Sequence, residues 1–333
     1  MKCKCLCLLL ALCLLPCTSR AQEKRSASFF GTFDTIVTLV AYTDTEKDFD
    51  RCLSIAQGEM TRLHQIFDAY HTYAGINNLC LVNQQAGQGP TAAEPELIAL
   101  LLRVTEWRSL FSTAVNPAMG QVLSLWHSAR ETKTVPEDSA LQEAAAHCCF
   151  EDLLLDENAG TIAFSDSQLK LDVGAVAKGY AAQLTADKLR ESGFSSFILN
   201  AGGNVVCGDA APGRDCWNIA VEAADGVSTL GIVGVSDLAV VTSGDYQRYF
   251  TLDGTRYHHL IDPTTLYPAQ YMHAVTVLHA DSGLADFLST AAFLCPYEES
   301  RALIESIPGA EGCWTLLDGT VEMTDGFQAL LLQ

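Results

Sequence analysis

The chain has 333 residues, with 20 Lys plus Arg against 40 Asp plus Glu and a formal net charge of −20. An acidic chain with no basic block lacks the clustered positive charge that nucleic acid or anionic lipid demands. Hydrophobic residues make up 49% and charged residues 18%, enough apolar material for a core, which excludes a disordered chain.

Met1–Ala21 reads as an export signal. Lys2 and Lys4 precede the apolar run Leu6–Leu15, which is too short to span a bilayer as a mature helix. Two endings stay open: cleavage after Ala21, or lipidation of Cys17, beside which Pro16 is an unusual neighbour. The expected location is extracytoplasmic, as a membrane-anchored lipoprotein or free in the periplasm. Five of the 13 cysteines fall in this segment, and the other eight form no C-x-x-C pair that would point to zinc or redox chemistry. The sequence assigns no disulfide.

The exported part, 28–333, reads as one unit. Phe29–Tyr42 is rich in Thr, Val, Ile and Phe and is predicted to be a strand. Phe49, Cys52, Leu53, Ala56, Met60, Leu63 and Phe67 recur at helical spacing. Pro95 opens a second helix through Phe111, and Asn116-Pro117 reads as the cap and first turn of a third, ending near His127. Strand-like pieces follow at Leu153–Leu155, Thr161–Phe164 and Leu169–Val173, then a helix over Ala175–Glu191 closed by Gly193. Further strands are predicted at Phe197–Asn200, Trp217–Val221, Gly231–Val235, Leu238–Thr242 and Val275–Leu278. Asp253-Gly254 and Asp318-Gly319 mark hairpins, and Leu284–Leu294 is helical. Strands and helices mix without strict alternation, so the expected class is α+β with antiparallel sheet segments and packed helices.

Four segments carry chemistry. Leu171–Tyr180 (L-D-V-G-A-V-A-K-G-Y) is a strand, a glycine turn and a helix start, where free N–H groups favour an anion and Lys178 adds charge. A capped strand–turn–helix accounts for it equally well. Asn200–Asn204 (N-A-G-G-N) is a glycine turn after a strand. Tyr257–Pro263 carries His258 and His259, which in an alternating strand face opposite sides, one toward a cleft and the other toward solvent. On the Leu284–Leu294 helix, Asp286 and Thr290 share a face and offer a carboxylate and a hydroxyl to a hard cation such as Mg²⁺.

Taken in order, Asp172–Tyr180, Asn200–Asn204, Thr242–Tyr246, His259–Pro263 with Tyr267-Pro268, and Ala285–Thr290 resemble the FAD:protein FMN transferase family, the ApbE-type flavin transferases, over roughly Phe29–Gln333. The resemblance implies a T-fold-related fold and a Mg²⁺-dependent enzyme that moves FMN from FAD onto a Thr or Ser hydroxyl of an acceptor flavoprotein subunit, releasing AMP. It implies Asp286, Thr290 and Ala175 as metal positions. Phe30, Tyr70, Ala114, Val115, Asn116, Asp172, Lys178 and Ile261 would line the FAD site, and His259 would activate the acceptor. Three positions depart from the pattern: Asn116 where many relatives have Asp, Leu266 where Gly is usual, and Phe30 where Met is common. Two alternatives stand beside this one. One is FAD hydrolysis to FMN and AMP at the same site; the other is a flavin-binding lipoprotein without catalysis.

Overall fold

The computed structural model describes residues 22–332. The export segment read from the sequence, with Cys17, lies outside them. Eight strands form one sheet in the order Glu23–Thr32, Thr35–Thr43, Phe197–Ala201, Asn204–Cys207, Ala239–Gly244, Met272–His279, Glu311–Leu316 and Val321–Met323. Every neighbouring pair is antiparallel. This is the mixed α+β arrangement expected from the sequence.

The sheet is covered on both faces, and the strands show it by alternation. Val206, Ala239 and Val241 turn toward the main core, while Val205, Cys207 and Val240 turn toward a second cluster behind the sheet. The main core packs against the helices Glu46–Phe67, Ala177–Glu191 and Ser282–Phe293. The second cluster is closed by the hairpin Trp217–Glu222 and Thr229–Val235, with Phe327 from the short C-terminal helix Asp325–Leu330. A third cluster gathers Met119, Val122 and Trp126 of one helical lobe against Phe250, Ile261 and Leu266. The eight cysteines among the described residues are all free thiols. Among the described residues no helix is long and apolar enough to cross a membrane.

Several boundaries differ from expectation. Phe29–Tyr42 is not one strand but most of a hairpin that turns at Phe33 and Asp34, whose φ values are +51° and +52°. A tight hairpin turn needs this left-handed backbone, usually from Asn or Gly; Phe-Asp carries no such signal, so the strand pattern ran through it. Leu169–Val173 is extended but joins no sheet. Its backbone bonds instead to the Asn83 side chain at Leu171 (2.8 and 2.9 Å), to Gly120 and to Pro117. The third helix starts at Gly120 rather than Asn116, because Asn116–Met119 forms a turn first. Gly120 has no room for a side chain: an added Cβ would lie 2.6 Å from the Lys170 carbonyl oxygen. The helices Asp138–Ala145 and Tyr297–Glu305 had no expectation attached to them.

Candidate active site

Between the main core and the third cluster lies a cavity of about 860 Å³, within the usual size of small-molecule sites, about 300–1,000 Å³. The sequence-predicted residues Tyr70, Ala114, Val115, Asn116, Asp172, Ala175, Lys178, His259, Ile261, Asp286 and Thr290 all line it. Phe30 does not. It is 72% exposed on its strand, and the adjacent turn residues Phe33 and Asp34 line the cavity instead. The sheet's period of two sends Phe29 inward, 7% exposed, and so turns Phe30 outward.

At one end sit the oxygens of Asp286, Thr290 and Ala175. The helix Ser282–Phe293, capped by Asp281, is buried along its whole length. Asp286 is 3% exposed, and its Oδ2 accepts a 2.7 Å hydrogen bond from Gly179 N. Thr290 Oγ1 donates to the Ala175 carbonyl at 3.3 Å. Gly179 makes this approach possible, since a Cβ there would overlap Asp286 Cβ and the Ser282 carbonyl. Among the described residues no three His, Cys, Asp or Glu side chains cluster as a metal cage. The set is instead one carboxylate, one hydroxyl and one carbonyl, all hard oxygen donors. That suits Mg²⁺, which keeps waters and takes further oxygens from a substrate phosphate.

Three cations face the same space, resting on an amide, a main-chain carbonyl and an imidazole. Lys178 Nζ donates to Asn204 Oδ1 (3.0 Å), Arg248 Nη2 to the Phe33 carbonyl (2.7 Å), and Arg130 Nη2 meets His127 Nδ1 at 3.3 Å. His127 also stacks on Tyr70, with ring centroids 4.8 Å apart. Burial raises the Tyr70 phenol and the Asp172 carboxyl above their usual ranges, and Gly174 N, donating to Asp172 Oδ1 at 2.7 Å, opposes the second shift. The lining therefore sets three cations among four carboxylates, Asp34, Asp68, Asp172 and Asp286. Arg248, Arg130 and His127 were missed from the sequence. The last two fall with Leu123 at helical spacing on one face of Gly120–Thr132, a signal that could have flagged them.

His259 makes no side-chain hydrogen bond among the described residues, and its Nδ1 is buried without a partner. Burial, then the charges of Arg248 and Lys178, push it down to about 3. His258 is not solvent-facing as alternation suggested. The strand ends at Tyr257, and His258 turns in to 3% exposure. Its Nε2 donates to the Ala269 carbonyl (2.9 Å), its Nδ1 accepts from Leu260 N (3.2 Å), and its ring meets Phe293 edge-on. Two used nitrogens make it a structural histidine.

The Ala114–Asn116 wall is stapled by Arg108, which donates to the carbonyls of Thr113 (2.6 Å) and Val115 (2.7 Å). Asn116 Nδ2 donates to the Cys148 carbonyl at 2.9 Å while Oδ1 accepts from Ala118 N at 3.0 Å. An ionised Asp has no donor for Cys148, which accounts for Asn at this position. Leu266 holds φ +63°, the left-handed region where Gly is at ease, yet it is 6% exposed and its carbonyl accepts from Trp126 Nε1 at 2.8 Å.

Residues 33–314 match the profile of the ApbE family. The chain belongs to the ApbE family. A FAD:protein FMN transferase of Treponema pallidum is 34% identical over 264 residues, covering 74% of this chain and 73% of that protein. One of Vibrio cholerae is 30% identical over 260 residues, covering 75% and 76%. The crystal structure of the ApbE protein of Thermotoga maritima superposes with a TM-score of 0.84 at 26% identity, covering 93% of this chain and all of that one. The ApbE resemblance read from the five motifs is thus borne out, and the ApbE fold places four of them around the cavity. The fifth, His259–Pro263 with Tyr267-Pro268, enters through His259 and Ile261.

Proposed function

We propose that this ApbE-family protein is a FAD:protein FMN transferase that moves FMN from FAD onto a Ser or Thr hydroxyl of an acceptor protein, releases AMP and uses Mg²⁺. One observation carries this: a single cavity joins the oxygens of Asp286, Thr290 and Ala175, three cations resting on an amide, a carbonyl and an imidazole, and His259. The activity of the relatives supports it. Mg²⁺ held by Asp286, Thr290 and the Ala175 carbonyl would neutralise charge on the diphosphate oxygens. The chain's own residues do the rest. Arg130, Lys178 and Arg248 draw in the diphosphate, and Tyr70 offers a face to a flat ring. The acceptor hydroxyl attacks the FMN-side phosphorus. The new O–P bond forms as the bridging P–O bond to AMP breaks, and the hydroxyl proton passes to His259. A bound diphosphate offsets the charges that depress His259, so its proton affinity rises when substrate is in place.

The proposed location is outside the cytoplasm, supported by Lys2, Lys4 and the Leu6–Leu15 run. The test is incubation with FAD and Mg²⁺, with and without a candidate acceptor, followed by AMP release and protein-bound flavin fluorescence. Flavin fixed to the acceptor, lost in Asp286→Ala, is the expected result. AMP release unaffected by acceptor, with no bound flavin, would select hydrolysis instead. No AMP and no bound flavin would sink both.

A further inference from the structure

Asn204 closes the Asn200–Asn204 turn and is 0% exposed. Its backbone is fixed on both sides, opposite Ala201 in one neighbouring strand and Val241 in the other. Its Oδ1 accepts from Lys178 Nζ at 3.0 Å, while its Nδ2 is buried with no partner among the described residues. A buried amide donor left unpaired costs about 1–3 kcal/mol. Aspartate has nearly the same shape, has no orphan donor, and would form an ion pair with Lys178. The amide occupies the position despite that cost.

We propose that Asn204 is a positioning residue that holds the Lys178 ammonium at the cavity while leaving its charge uncompensated for the diphosphate of FAD. This rests on the functional reading given above. Lysine is a flexible point charge whose ordering costs side-chain entropy. A rigid neutral acceptor in the sheet orders it without cancelling its field, whereas a carboxylate at 3.0 Å would order it and cancel it. Arg248 follows the same pattern, resting on a neutral main-chain carbonyl.

The test compares Asn204→Asp and Asn204→Ala by FAD titration of flavin fluorescence and by KM and kcat for FMN transfer. Asn204→Asp should weaken FAD binding by about tenfold or more, the scale of one lost charge-assisted contact. Asn204→Ala should do so by less, and the rise should lie in KM for FAD more than in kcat. In a Lys178→Gln background Asn204→Asp should add no further loss. Lys178 is one of the charges that depress His259, so Asn204→Asp should also move the acidic limb of the transfer profile to higher pH. A role in packing alone predicts the reverse order, with the near-isosteric Asp milder than Ala. Should Asn204→Asp fail to fold, an unchanged KM in Asn204→Ala overturns the proposal and a raised KM supports it. Wild-type protein that binds no FAD overturns the functional reading and this inference together. Wild-type binding with Asn204→Asp equally tight overturns this inference alone.

Discussion

Gly179→Ala tests the geometry of the metal end without replacing any proposed ligand. Inside a helix this change normally gains about 1 kcal/mol of helix propensity. Here the added methyl would overlap Asp286 Cβ and the Ser282 carbonyl oxygen and lie 3.1 Å from Asp286 Cγ. None of these is the far end of a flexible side chain. The helices Ala177–Glu191 and Ser282–Phe293 must therefore part by about 1 Å to reach ordinary van der Waals contact. Overpacking of this kind costs about 1–3 kcal/mol, so the propensity gain is cancelled or outweighed and net stability falls by roughly 0–2 kcal/mol. The larger effect is on position. The parting stretches the 2.7 Å bond from Gly179 N to Asp286 Oδ2 and carries Asp286 away from Thr290's partner, the Ala175 carbonyl. A misplacement of about 1 Å in a reacting site can cost about 10²-fold in rate. The expected outcome is a folded protein whose FMN transfer is slowed by about that factor and whose Mg²⁺ midpoint is raised. Near-UV circular dichroism checks the fold, and a Mg²⁺ titration of protein-bound flavin reads the activity. A folded Gly179→Ala protein with the wild-type rate and Mg²⁺ midpoint would refute the reasoning.

His259→Ala should lower transfer by about 10²-fold or more, the scale of a lost general base, with FAD affinity little changed. His258→Ala should instead destabilise the fold by about 2–4 kcal/mol, because it strands the Ala269 carbonyl and Leu260 N–H in the interior; chemical denaturation and the rate per folded molecule separate the two roles. Leu266→Gly removes a left-handed penalty of about 1–2 kcal/mol but loses a buried leucine worth about 2–5 kcal/mol, so the melting temperature should fall despite the relieved backbone. His259 titrates near 6.5 when unfolded and at about 3 in the fold, so between those values the unfolded state binds more protons and stability falls as pH falls. Denaturation across pH 4–7 should show a shallower acid-side loss in His259→Gln than in wild type, and identical slopes would exclude the effect.

How far the sequence reached follows from the kind of signal each residue carries. The helix Glu46–Phe67 was visible because its buried residues repeat at helical spacing from Phe49 to Phe67. Asp286 and Thr290 were visible as a same-face pair, and Lys178 as a charge at a helix start. The Phe33–Asp34 turn was not, because left-handed backbone at two side-chain-bearing residues leaves no mark in composition. Phe30 was assigned by resemblance and lost to strand alternation, which is local and strict. His258 was misjudged for the opposite reason: the alternation was extended past Tyr257, where the strand stops and the chain turns inward. Arg248 and Asn204 acquire meaning only through partners distant in the chain, Phe33 and Lys178, and such pairings are set by the closed fold.

The net charge of −20 and three cations without carboxylate partners at the cavity are compatible because charge acts locally. At physiological ionic strength the screening length is about 8 Å, so the scattered surface carboxylates have little reach into an enclosed site. Inside it, what matters is which carboxylates stand beside the cations. Elsewhere in this chain arginines are commonly paired: Arg62 with Glu59 and Glu96, Arg190 with Asp187 and Asp237, Arg256 with Asp245. At the cavity the pairing stops. Lys178 rests on an amide, Arg248 on a main-chain carbonyl and Arg130 on an imidazole nitrogen, so each is oriented and none is neutralised. Burial first, and then the charges of Arg248 and Lys178, lower the proton affinity of His259. Leaving three cations without a carboxylate partner thus keeps them available to a diphosphate, and an anion bound there would offset the part of the His259 depression that comes from charge.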